Sequence, residues 1–333
     1  MLPIVDLPLN PGEKYALIAV NGATDISEVI DLGNGLFELP GGGFRLPEHW
    51  REWIGSVESE QIETRTGLLL LAKRASDRPE VLDAENQQLQ RQTQWLYWGL
   101  LATGRFWIQG GATQVTGTYS EGQVSVAQKG RMLDVFNIQG LQPVRIGEAD
   151  LRRAARLAGN LGDLMVRRGM RRVKLALRTF WSAFEEKDLG QRIHQFVRVA
   201  SEGFAKSFGH REFIERSRVF VGKGWMVECG QLYRMRNNAE HFNLPDSKLK
   251  RLPRRASLER AYLRALQAEA IARHCVQRFV ADKRLWKHFH NDLRVDAFWR
   301  KPRPDCTQLW GRALDLEAAV GGFNSTHIPD EET

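Results

Sequence analysis

The run Glu148-Ala149-Asp150-Leu151-Arg152-Arg153-Ala154-Ala155-Arg156-Leu157-Ala158-Gly159-Asn160-Leu161-Gly162-Asp163-Leu164-Met165 marks a change of texture in the chain. Leu151, Ala154, Ala155, Ala158, Leu161 and Leu164 recur at helical intervals, with arginines between them, which predicts an amphipathic helix. Everything downstream reads the same way. Helices are predicted over 173–186, 189–207, 212–220, 225–242, 257–283 and 285–298, joined by short loops holding Gly209, Gly222 and Gly224. That is the pattern of an antiparallel helical bundle. Upstream the signals are shorter. Tyr15–Val20, Gly35–Leu39 and Gly67–Ala72 are apolar runs bounded by Gly, Asn or charge, and so predict strands. Arg105–Ile108 and Gln123–Val126 read as two more, and 83–102 as the one clear helix of this half. The expected fold class is therefore α+β: a mixed, strand-rich N-terminal domain over 1–146, a helical bundle over 147–300, and a loose tail over 301–333 closed off by Pro302 and Pro304.

Charge divides at the same place. The net charge is +8, yet the residues through Gly147 carry 12 basic and 17 acidic side chains, leaving the remainder with 36 basic against 23 acidic. Such asymmetry predicts a polyanion-facing C-terminal portion. Two clusters concentrate it, Arg167, Arg168, Arg171, Arg172, Lys174 and Arg178, and then Lys248, Lys250, Arg251, Arg254 and Arg255. They are either solvated faces or contacts to a nucleic-acid backbone, and their shared location favours the backbone. No apolar stretch approaches the roughly 20 residues of a membrane span. With no secretory signal and three distant cysteines, the expectation is a soluble, cytoplasmic protein without a membrane partner.

The chemistry-bearing run is Tyr233-Arg234-Met235-Arg236-Asn237-Asn238-Ala239-Glu240-His241, late in a predicted helix. Arg236, Asn237 and His241 are the parts of a phosphodiesterase that works without metal or other cofactor. A histidine moves protons near neutral pH, a guanidinium meets charge building on phosphate oxygens, and an amide orients either one. RNA supplies its own nucleophile, the 2′-hydroxyl. Arg-x4-His alone is expected about once by chance in such a chain, and the following Asn makes it far rarer. On an ideal helix Arg236 and His241 stand roughly 140° apart, whereas Asn237 and Arg234 share the face of His241. Arg236 is preferred as the phosphate-binding arginine and Arg234 is its rival. Glu202 would either fix the imidazole or pair with Arg198 or Lys206 along its own helix. Arg192 and His194 are candidates for the same cleft.

These residues resemble the HEPN superfamily of helical bundles, and within it the long bacterial branch called Apea-like. The likeness is carried by Gln191-Arg192-Ile193-His194-Gln195-Phe196-Val197-Arg198 with Glu202, by Arg211-Glu212-Phe213, by Phe220-Val221-Gly222, by the Arg-Asn-x-x-x-His run, and by Asp296-Ala297-Phe298-Trp299. It extends loosely to Glu85-Asn86 and the 95–104 helix. The resemblance implies an endoribonuclease that leaves a 2′,3′-cyclic phosphate and works as a homodimer with paired motifs at the interface. It also implies a setting as a toxin or in defence against phage. The alternatives are a non-catalytic RNA- or nucleotide-binding module and a dimerising scaffold partner. Neither the RNA that is cut, nor an inhibitory partner protein, nor the task of the N-terminal domain can be read from the residues.

Other signals are weaker. His288 and Asp292 lie at i and i+4 but have no further ligand at metal-binding spacing, so no metal site is expected there. Gly41-Gly42-Gly43 lacks the lysine of a phosphate loop. Cys229 and Cys275 fall on apolar stripes and are expected to be buried. Trp50, Trp53, Trp95, Trp98 and Trp107 are either core or platforms for RNA bases.

Overall fold

The computed structural model describes residues 7–41, 46, 48–65, 67–77, 83–120, 122–240 and 254–328. The chain is α+β, and it divides into two compact units. One comprises Met1–Val135 with Pro143–Asp163, the other Phe136–Gln142 with Leu164–Thr333.

The first unit is built on an antiparallel sheet. Its strands are β1 (Glu13–Val20), β2 (Ile30–Gly33), β3 (Leu36–Pro40), β4 (Leu68–Ala75), β5 (Gly110–Ser120), β6 (Gln123–Val124) and β7 (Gln128–Val135). The order is β2-β3-β4-β1-β5-β6, with β7 also paired to β5. Leu17 of β1 sits opposite Leu71 on one side and Val115 on the other. With Tyr15, Leu39 and Leu69 these residues form one buried face, covered by Trp50 and Ile54 of α1 (Glu48–Ile54) and Ile62 of α2 (Ser56–Arg65). Trp50 stacks on Tyr15 at 5.9 Å and donates its indole N–H to the Val124 carbonyl, so it is core and not a base platform. Trp53 alone of the five is strongly exposed.

The opposite face of the sheet meets α3 (Ala84–Thr103). Lys14, fully buried on β1, reaches Asp83 at 2.6 Å and Glu85 at 3.2 Å, while Asp83 also caps α3 through the Glu85 and Asn86 amides. Asn86 donates to Thr116 and to the Gly117 carbonyl. Glu85 and Asn86 thus anchor a helix to the sheet. Burial on both faces is why β1 and β4 read as unbroken apolar runs and not as alternating ones.

The helix α4 (Glu148–Val166) belongs mostly to this unit. A Cβ on Gly99 would lie 2.6 Å from the Ala154 carbonyl oxygen, so glycine is what lets α3 and α4 approach so closely. The division therefore falls after Asp163, within the helix, and not at residue 146 where the sequence texture changes. Arg105–Ile108, expected as a strand, contributes only isolated bridges at Phe106 and Ile108.

The second unit is helical. It contains α5 (Arg171–Ser182), α6 (Leu189–Arg198), a π-helical turn (Val199–Ala205), α7 (His210–Val221), α8 (Met226–Glu240), α9 (Arg254–Ala281), α10 (Lys283–Trp286), α11 (Asp292–Trp299), α12 (Arg303–Trp310) and α13 (Leu316–Val320). Helix α6 packs on α8 and α9. Residues 301–328 are not a loose tail. Trp310 is fully buried among Phe204, Phe220 and Phe289, and Leu316 is buried too. Pro302 and Pro304 begin α12, where a missing N–H costs nothing, instead of ending the fold. Cys229 and Cys275 are buried as expected, and burial pushes the Cys229 thiol up to about 11. Among the described residues no helix is long and apolar enough to cross a membrane.

Candidate nucleic-acid cleft

The motif helix α8 carries Arg236 on its packed face. Four polar or aromatic groups surround the guanidinium, and a fifth meets the backbone of the same residue. One Nη2–H donates to Glu202, and the same nitrogen lies 3.5 Å from Glu240, one helical turn on. Nη1 donates to the Asn237 side chain at 3.1 Å, the ring of Tyr233 lies 5.4 Å beneath Cζ, and the helix's own Arg236 carbonyl is 3.3 Å from Nδ1 of His194. The side chain is only 11% exposed, and its Nε–H has no hydrogen-bond partner among the described residues. A planar donor held this way keeps its orientation without further cost in rotamer entropy.

Beside it opens a cleft of about 400 Å³ lined by Gln191, His194, Arg198, Glu202, Ala239 and Glu240. Glu202 is shared, one oxygen serving Arg236 and the other accepting from Nε of Arg198 at 2.8 Å. Of the two partners expected along its own helix, Arg198 is taken up. Lys206 is not, since it pairs with Asp296 at 2.7 Å.

Glu202 stands on the π-helical turn, and several separate stretches of sequence brace that turn. Widening a helix leaves carbonyls poorly matched to backbone donors, and side chains supply what is missing. Arg172 donates to the Glu202 carbonyl, Trp299 to Phe204, and Arg216 to both Ala205 and Lys206. Lys206 ends the turn in the left-handed region at φ 51°. Gly203 lets it rest on α5, for a Cβ there would come within 2.4 Å of Ala176 Cβ. Gly203→Ala is expected to destabilise the helical unit by roughly 1–3 kcal/mol through overpacking, read as a shift of the urea midpoint. An unchanged midpoint would mean the turn moves aside freely.

The other named residues fall in three groups. Arg236, Asn237, Glu202 and His194 come together. Arg234 does not join them: two residues away on the helix, it is exposed and returns its Nε–H to the Gly230 carbonyl. Arg192 does not line this cleft either. It is 3% exposed, with its guanidinium 5.9 Å from Phe184 and 5.8 Å from Phe196, because position 192 shares the apolar face of Ile193 and Phe196. His241, Lys248, Lys250 and Arg251 lie outside the described residues, as does the side chain of Arg254.

The first basic cluster splits by task. Arg167, Arg168, Arg171 and Arg178 are exposed. Lys174 instead takes the carbonyls of Met165 and Arg167 at the end of α4, and Arg172 pairs with Asp292 at 2.8 Å, holding that carboxyl below its usual range through their hydrogen bond. Arg255, expected on a nucleic-acid backbone, is committed to the fold through Glu259 and the Ser325 carbonyl. Tyr233 and Glu240 were not singled out from sequence. Their spacing of i−3 and i+4 from Arg236 is the signal that finds them. No family model matches the chain, and neither does any curated protein or solved structure.

Proposed function

We propose that the helical unit is a metal-independent endoribonuclease of the HEPN kind. The supporting observation is the motif arginine itself: Arg236 is nearly buried, oriented by Glu202, Asn237 and Tyr233, and set beside a cleft that also presents His194 and Arg198. In this reading Arg236 binds the non-bridging oxygens of the scissile phosphate, where a fixed donor is worth most as charge accumulates. His241 takes the proton of the 2′-hydroxyl, or returns one to the leaving 5′-oxygen. The 2′-O–P bond forms as the P–O5′ bond breaks, leaving a 2′,3′-cyclic phosphate. Glu202 holds the guanidinium until phosphate arrives, and Asn237 steadies it from the side. A homodimer would bring His241 of one chain toward Arg236 of the other, which answers their angular separation on a single helix.

Purified protein incubated with total RNA in EDTA, beside His241→Ala, tests the reading. Cleavage that persists in EDTA, leaves cyclic phosphate ends and disappears in the variant is the expected outcome. RNA binding without cleavage would favour the non-catalytic module, and neither binding nor cleavage would favour the scaffold. Either result defeats the nuclease.

A further inference from the structure

The helical unit has a second cleft, of about 500 Å³, on the other side of Arg198 and Glu202, and both residues line it as well. Its walls have two characters. Arg171, Arg172 and Arg198 bring three guanidinium groups against the carboxylates of Glu202 and Asp292, leaving the cleft cationic. Leu175 offers apolar surface between them, 51% exposed although it sits one turn from Arg171 on the same face of α5. Arg172 is locked between Asp292 and the Glu202 carbonyl, whereas Arg171 is exposed and makes no ion pair among the described residues. Helix α5 begins at Met170 with no side-chain cap, which adds partial positive charge at the same end.

We infer that this cleft is a nucleotide subsite, with phosphate held by Arg171 and Arg172 and the base laid on Leu175. Cations beside apolar surface match the two halves of a nucleotide, and the volume suits one such unit. The shared wall of Arg198 and Glu202 makes it the seat of a residue neighbouring the scissile phosphate. That placement rests on the ribonuclease reading; the binding itself does not. The ligand is either a free nucleoside monophosphate or one unit of an RNA strand.

Calorimetry with adenosine 5′-monophosphate, ribose 5-phosphate and a 2′-O-methyl RNA hexamer, which cannot be cleaved, distinguishes these sources. Arg171→Glu is expected to weaken the phosphate-bearing ligands by about tenfold or more. Leu175→Ser should weaken the nucleotide and the hexamer while sparing ribose 5-phosphate, because it removes the apolar surface without adding a charge beside Arg171. Both positions are exposed, so folding is not at stake. Binding of the monophosphate assigns a free-nucleotide site, and binding of the hexamer alone assigns a strand subsite. Binding by neither, or binding indifferent to both substitutions, overturns the inference even if RNA is still cut. Nucleotide binding lost in Arg171→Glu, in a protein that cuts no RNA, overturns the nuclease and leaves the site standing.

Discussion

Arg236→Ala is expected to slow RNA cleavage by roughly 10²- to 10³-fold, the cost of deleting one positioned donor to a developing oxyanion. The loss should appear in kcat more than in KM, because the interaction strengthens as charge builds on the phosphate. Arg236→Lys should recover little. An ammonium cannot present Nη1 to Asn237 and Nη2 to Glu202 together, as the guanidinium does. Arg234→Ala should leave cleavage near the wild-type rate, since that side chain is exposed and faces away from Glu202. If Arg234→Ala abolishes cleavage and Arg236→Ala spares it, the assignment is reversed. A composite site also predicts complementation. Arg236→Ala and His241→Ala chains, each inactive, should regain activity when unfolded and refolded together, because a mixed dimer holds one intact Arg236 and one intact His241 across the axis. No recovery would place both groups within a single chain.

The helical unit was largely legible because its apolar residues repeat at 3.6 and its loops carry glycine, and the strand cores because both their faces are apolar. What escaped has specific physical causes. Helices α1 and α2 bury the apolar Trp50, Ile54 and Ile62 but also the polar Ser59, and expose Trp53 and Val57, so no clean stripe marks them. The proline pair near residue 303 reads equally as a stop and as a first turn, and only the burial of Trp310 decides. The π-helical turn has no periodic signature. It exists because Arg172, Arg216 and Trp299, distant in sequence, satisfy its carbonyls. The Glu202–Arg236 pairing was hidden for the same reason, whereas Arg198–Glu202 could be read directly from i, i+4 spacing. Arg192 shows the opposite error: a charged residue type suggested a cleft, but its position on the apolar face placed it between two phenylalanines.

Two buried groups outside the cleft give the units opposite responses to pH. In the helical unit, burial first and then the nearby Arg278 lower the His274 imidazole to about 4, and its Nε2 has no partner among the described residues. The unfolded chain takes up a proton near 6.5 that the folded one refuses. Stability contributed by His274 is therefore present above 6.5 and is lost as pH falls toward 4. The sheet unit carries the reverse case in Glu38. Its register neighbours on one face are Ile30 and Leu70, and Leu70 in turn sits opposite Ile18. The carboxyl is fully buried in this row, with neither oxygen hydrogen-bonded among the described residues.

Desolvation alone raises the Glu38 carboxyl from 4.5 to about 8, so it is protonated in the folded unit at neutral pH. Below 4.5 both states hold the proton and Glu38 adds no pH dependence. Between 4.5 and about 8 the unfolded chain releases it while the folded unit keeps it, and stability falls with every step upward. Glu38→Gln removes the ionisation and keeps the shape. The variant should match the wild type near pH 4.5 and exceed it by on the order of 4 kcal/mol above pH 8, equivalent to roughly 10 °C in Tm for a unit of this size. Urea midpoints of the sheet unit, followed by hydrogen exchange of β3 and β4 peptides from pH 5 to 9, measure this directly. The gap between the two proteins should open steadily up to about pH 8 and then level off. A constant gap would mean that Glu38 finds a partner in solution and ionises normally. His274→Gln should leave these peptides unmoved and flatten only the acid side of the helical unit's profile, because the two groups titrate in different units and in opposite senses.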